Sequence, residues 1–152
     1  MTNITQDIAE KVRDTIDAGL VSGVGKPIPG QMCVEAAVCY ALGLPHGDDP
    51  GCVTQSLRGL KIRLNDSRWS SNKARAAGLR RLALAQLGSA GILNEKEFVR
   101  RVVDLTIRKV VSFALYRAAA IQKNPQEAER LKAAAMRCEV EGSRDSCIAA
   151  AA

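Results

Sequence analysis

The sequence predicts an all-α fold: a single-domain bundle of about six helices, with a long central helix in its C-terminal half. Three observations predict it. Aromatic residues make up 3% of the chain against 47% hydrophobic residues, so the core has to be built from Leu, Val, Ile and Ala, which suits closely packed helices. Apolar residues recur at steps of three and four along most of the chain. The stretch 95–122 contains neither Pro nor Gly. A length of 152 residues is that of one domain.

The elements follow in order. Thr5 is placed to cap a first helix running to Ala18, with Ile8, Val12 and Ile16 as its apolar stripe and Asp7 and Glu10 in its first turns, where the helix dipole favours them. Gly19 ends it. The stretch 19–30, with four glycines and two prolines, reads as a loop long enough to cross the molecule. Pro27 and Pro29 hold the chain extended. Cys33, Ala36, Ala37, Tyr40 and Ala41 then predict a helix over 31–42, stopped by Gly43 and Pro45. Asp49 as N-cap with Pro50 in the first turn predicts the next start, and Val53, Leu57, Leu60 and Leu64 supply one apolar face.

Residues 65–72 form a polar break containing the sole tryptophan, Trp69. Ser70 or Ser71 is placed to cap a fourth helix that stops at Gly88. Over 95–122, Phe98, Val102, Leu105, Val110, Phe113, Arg117 and Ile121 alternate steps of three and four, apart from one step of five between Leu105 and Val110. Other faces of this helix are apolar too, through Val99, Val103, Ile107, Val111 and Leu115. A helix apolar on more than one side sits at the centre of a bundle or at a subunit interface. Asn124-Pro125 opens a last helix, to Glu141, and residues 143–152 are expected to fray.

Charge is distributed unevenly. Residues 56–117 carry 14 Lys and Arg against four acids, whereas residues 1–55 carry three against seven. A basic middle and an acidic start imply an anionic partner for one face, or two subunits pairing acidic to basic. No apolar run approaches the ~20 residues needed to span a bilayer, and the polar, acidic opening does not read as a secretion signal. Five cysteines, an odd number with no CxxC pair, read as reduced thiols, and the expected compartment is a cytoplasm.

Three sets of residues could carry chemistry or binding. Cys33-Val34-Glu35 with Pro50-Gly51-Cys52 resembles part of the zinc-deaminase signature, in which a ligand and a catalytic Glu open one helix and a Pro-Cys-x-x-Cys opens the next. The second cysteine of that pattern is absent, since Val53, Thr54 and Gln55 follow Cys52. Cys33, His46 and Cys52 would be the zinc ligands of such a site. Gln31-Met32-Cys33 at a helix start also resembles the papain-like cysteine hydrolases, where the helix N-terminus lowers a thiol pKa. The plainer reading makes the cysteines small core hydrophobes, Asp49 a cap and His46 a local hydrogen-bond partner. Glu35 would then pair with an arginine of the basic middle. The third set is Arg68, Trp69, Lys73, Arg75, Arg80 and Arg81, where arginines offer bidentate contacts and tryptophan a flat apolar surface.

The stretch 30–87 resembles small accessory proteins of phages and prophages, among them anti-CRISPR inhibitors of host defence. What this resemblance implies is a short protein of a bacterial cytoplasm that acts by binding, without catalytic residues, metal or cofactor. The implied partners are a host protein or nucleoprotein complex, nucleic acid through the basic face, or a second copy of the chain, with no role for a membrane. Arg68, Trp69, Lys73, Arg75, Arg80 and Arg81 are the expected binding surface. The alternatives are a small helical DNA- or RNA-binding protein using the basic middle segment, through Arg58, Lys61, Arg63, Arg68, Trp69, Lys73, Arg75, Arg80 and Arg81, and a Cys- or zinc-dependent hydrolase or deaminase-like enzyme using Cys33, Glu35, His46 and Cys52.

Overall fold

A computed structural model describes residues 3–151, and among these the fold is all-α, with a single isolated bridge between Gly25 and Met32 as the only β-type pairing. The chain divides into two compact units, residues 1–95 and 96–152.

The first unit contains α1 (Gln6–Asp17), α2 (Val34–Ala41), α3 (Gln55–Asp66) and α4 (Asn72–Ala85). Short polar caps set their starts. Thr5 accepts from the Ile8 amide and Ser71 from the Ala74 amide, as their positions in the sequence predict. The short α2 is the centre of this unit. It packs on α1, α3 and α4, and every residue from Val34 to Cys39 is buried. Its apolar, alanine-rich sequence suits that place, because small side chains let three neighbours approach. Val12, Ile16 and Leu20 close the core from α1 and the loop after it, and Leu57, Leu79 and Ala83 from α3 and α4.

Two predicted helix starts move. The helix expected over 31–42 begins at Val34, and its cap is Cys33, whose Sγ accepts from the Ala36 amide at 3.3 Å. Met32, fully buried, is instead held in the loop, where its carbonyl accepts from the Val21 amide. The Asp49-Pro50 signal does not start a helix. Asp49 accepts from the Gly51 amide in a local turn, and α3 starts only at Gln55 with Thr54 as cap residue. The reason lies in the core. Pro50, Cys52, Val53 and Thr54 are all buried, and Ala90 donates to the Cys52 carbonyl while Thr54 donates to Ser89 Oγ. Burial of this segment outweighs a cap worth about 1 kcal/mol.

The second unit contains α5 (Glu95–Leu105), whose first residue belongs to the preceding unit, a π-helical turn (Thr106–Val111), α6 (Ser112–Ile121), α7 (Pro125–Glu141) and α8 (Arg144–Ala151). The long proline-free stretch is thus helical from Glu95 to Ile121, with a π-turn inside it. Asn124 caps α7 by accepting from the Gln126 and Glu127 amides, with Pro125 in the first turn. The α6 and α7 helices pack on each other, and α7 also on α8 and the π-turn. The buried residues here are mostly small: Ser112, Ala119, Ala134, Ala135, Cys138 and Ser146, with Ile107 the largest. In the stretch after Gly142, expected to fray, Arg144–Ala151 forms α8 instead. Gly142 takes a left-handed conformation with φ of 62° and stops α7. Ser143 then starts α8, accepting from the Ser146 amide, and the Cys138 thiol lies against the Ser146 carbonyl.

Candidate functional site

The residues with chemical potential lie in the first unit, and most of them turn inward. Glu35 and Lys61 are both fully buried, with Oε1 and Nζ 3.2 Å apart. Gln86, also fully buried, donates through Nε2 to Glu35 Oε2 at 3.1 Å. The partner of Glu35 is therefore Lys61, and not an arginine as the sequence suggested. The pair is an ion pair closed off from water, with Lys61 on one carboxylate oxygen of Glu35 and Gln86 on the other. Burial pushes the Glu35 carboxyl above its usual range against the attraction of Lys61. It also lowers Lys61 to about 8, with Glu35 opposing the change. Nothing in the periodicity announces this pair. Lys61 reads as one more cation of the basic middle, and only the packing of α2 on α3 turns it inward.

Cys33 is buried at the N-cap of α2, and burial pushes its thiol up, the reverse of an activated nucleophile. It lines a hollow of about 60 Å³ with Gly23, Val24, Asp48, Asn65 and Asp66, far below the ~300–1,000 Å³ of a ligand pocket. Cys52 lines a different, open cleft of about 420 Å³ with Gly51, Gly88, Ala90 and Ile92. His46 is on an exposed loop, its Nε2 3.1 Å from the Gly25 carbonyl, to which it donates. Cys33, His46 and Cys52 are not brought together as ligands: among the described residues no three His, Cys, Asp or Glu side chains are placed to hold one metal ion. All five cysteines are free thiols.

The six residues of the expected binding surface separate into two groups. Arg75 is buried, which removes it from any surface. Its guanidinium donates to the Asn65 carbonyl at 2.7 Å, the Leu20 carbonyl at 3.1 Å and Asn72 Oδ1 at 2.7 Å. Asn65, buried in turn, accepts from the Val34 amide and donates to the Val21 carbonyl. Arg75 and Asn65 thus latch the end of α3, the start of α4, the start of α2 and the loop after α1. Trp69 is half-buried, donates to the Leu64 carbonyl at 2.8 Å, and lies so close to Gly78 that a Cβ there would overlap its ring. It is a plug between the α3–α4 turn and α4. Arg80 makes a two-point ion pair with Asp17 of α1, at 2.7 and 3.1 Å. Arg68, Lys73 and Arg81 remain exposed, with no ionic partner among the described residues. Arg63, on the last turn of α3, is exposed in the same way.

A feature the sequence showed only in part lies in the second unit. Leu105, Val110, Phe113 and Ile121, from the apolar repeat of the long helix, are 57%, 62%, 65% and 81% exposed. The single step of five in that repeat coincides with the π-turn, where Ser112 donates to the Ile107 carbonyl five residues back. In an α-helix, residues five apart differ by about 140° around the axis. The wider π-turn brings Val110 back towards the line of Leu105.

No family model, curated protein or solved structure matches the chain. Among the described residues no helix is long and apolar enough to cross a membrane.

Proposed function

We propose that the protein is a non-enzymatic binding protein of a phage or other mobile element, and that it inhibits a CRISPR-type nucleoprotein complex of its bacterial host by stoichiometric binding in the cytoplasm. The observation that carries the binding reading is the division of labour in the first unit. Cys33, Glu35, Lys61, Gln86 and Arg75 are used up inside the fold, while Arg68, Lys73 and Arg81 stand free on its surface. Free cations of this kind steer encounter with an acidic protein face or a nucleoprotein. The choice of partner rests on the resemblance of residues 30–87 to accessory proteins of phages.

The test uses purified protein and purified CRISPR-type effector complexes. A one-to-one complex and loss of target cleavage are expected. Lys73→Glu with Arg81→Glu weakens the complex at least tenfold, ~1.4 kcal/mol, with melting unchanged. Cys33→Ala lowers stability but not inhibition per folded molecule. Loss of inhibition in folded Cys33→Ala protein would reopen thiol or metal chemistry. A second reading, direct binding of DNA or RNA, draws on the same free cations. It predicts affinity for bare duplex that falls with salt, with a slope of about −0.9 per neutralised phosphate. Binding to bare nucleic acid with no affinity for effector proteins would put that reading first.

A further inference from the structure

The second unit carries an interaction surface separate from the cations of the first. Leu105, Val110, Phe113 and Ile121 form an apolar stripe along the long helix that its own unit leaves uncovered. Lys109 and Arg117, each four residues from Phe113, lie on the same stripe, exposed and without an ionic partner among the described residues. Three other cations of this helix are engaged: Arg100 and Arg101 pair with Glu97, and Arg108 with Asp104. A π-turn, a rare feature found frequently at functional sites, stands at the point where the stripe would otherwise wind away from itself. A row of large apolar side chains rimmed by unpaired charge marks a contact surface.

The positions of the two cations decide what fits it. A second copy of the chain is the simplest apolar partner, but the stripe is symmetric about Phe113. An antiparallel two-fold pairing that overlaps Leu105 with Ile121 also sets Lys109 of each copy against Arg117 of the other. A parallel pairing sets each cation against itself. Both arrangements bring like charges together at the middle of the interface. We infer that the stripe receives an amphipathic helix of a different protein, one with an apolar face and two carboxylates that meet Lys109 and Arg117. Eight residues of helix separate those cations by about 12 Å, so the carboxylates of the partner stand seven or eight residues apart on one helix. The mode is that of a helix laid along an apolar seam, with charge fixing its register.

The probes are two synthetic helical peptides with the same Leu/Val stripe, one with two glutamates eight residues apart and the other with lysines there, titrated into the full chain by fluorescence anisotropy. The glutamate peptide is expected to bind at least tenfold tighter than the lysine peptide. Phe113→Ser should remove binding of both, with circular dichroism and melting unchanged because the ring is exposed. Lys109→Glu with Arg117→Glu should reverse the preference. Tyr40→Ser, an exposed site in the first unit, and Lys73→Glu with Arg81→Glu should change nothing. That last arm keeps this surface distinct from the one proposed for the nucleoprotein. Equal binding of the two peptides, or of neither, overturns the inference. So does sedimentation as a dimer that Phe113→Ser dissociates, or tighter binding of a single-stranded RNA that depends on Arg117.

Discussion

The two units solve burial in opposite ways. The first closes around α2 with large side chains, Ile16, Leu20, Met32, Val34 and Val38, and even encloses an ion pair and a glutamine. The second brings helices together on alanine, serine and cysteine, and leaves Leu105, Val110 and Phe113 outside. Small residues let helix backbones approach closely, but each removes little apolar surface from water. The contrast teaches where each unit invests its interactions: the first in a fixed interior, the second in a surface.

The sharpest way to break that contrast is to open the buried pair. Lys61→Met alone leaves the Glu35 carboxylate buried and should cost about 3–5 kcal/mol. Glu35→Leu together with Lys61→Met should recover most of that loss, read from urea midpoints at unchanged slope. A double variant as unstable as the single would show that packing, and not the orphaned charge, sets the cost. The pair also gives pH a sign. Lys61 titrates lower in the folded chain, near 8 against 10.5, so the unfolded chain binds more protons in that window and stability should rise with pH across it. Glu35 titrates higher in the folded chain, so stability should fall as pH rises through the range just above 4.5. The double variant should lack both slopes.

A smaller effect is expected at the end of α7. The Arg108 guanidinium donates to the carbonyls of Glu139, Val140 and Glu141 and pairs with Asp104. A cation there satisfies carbonyls that α7 cannot pair internally. Gly142 has no Cβ, and one built on it would collide with Arg108 and Asp104. Gly142→Ala should therefore cost about 2 kcal/mol, combining left-handed strain with loss of part of this cap. Arg108→Met should cost a similar amount, and the two losses should not add. Additive losses in thermal melts would separate the glycine from the cap.

The smallest effect is expected at Arg80. Its ion pair with Asp17 is about half exposed on both sides, so Arg80→Ala should cost about 0.5 kcal/mol, and less in high salt. A loss several times larger would make the α1–α4 contact depend on this pair rather than on the apolar face beneath it.

Particular residues show what could be read from the sequence and what could not. The all-α class, the caps at Thr5, Ser71 and Asn124, and the helical course of 95–121 were legible, because each depends on neighbours within a turn or on a period along the chain. The step of five from Leu105 to Val110 was visible too. Its resolution was not, since a kink or a change of face would absorb the extra residue equally well. Arg75 and Arg81 look alike in sequence. One is buried because the carbonyls of Asn65 and Leu20, ten and 55 residues away, converge on it, and the other is not. Glu35 and Lys61 meet only because α2 lies on α3. Asp49 and Pro50 carry a strong local helix-start signal, yet the helix begins at Gln55 because the segment between is drawn into the core. The sequence by itself determined the fold class and most of the helix limits, since these follow from local backbone chemistry. Tertiary structure alone decided which charges are buried, which apolar face is left bare and which cations are free, since those depend on contacts between residues far apart in the chain.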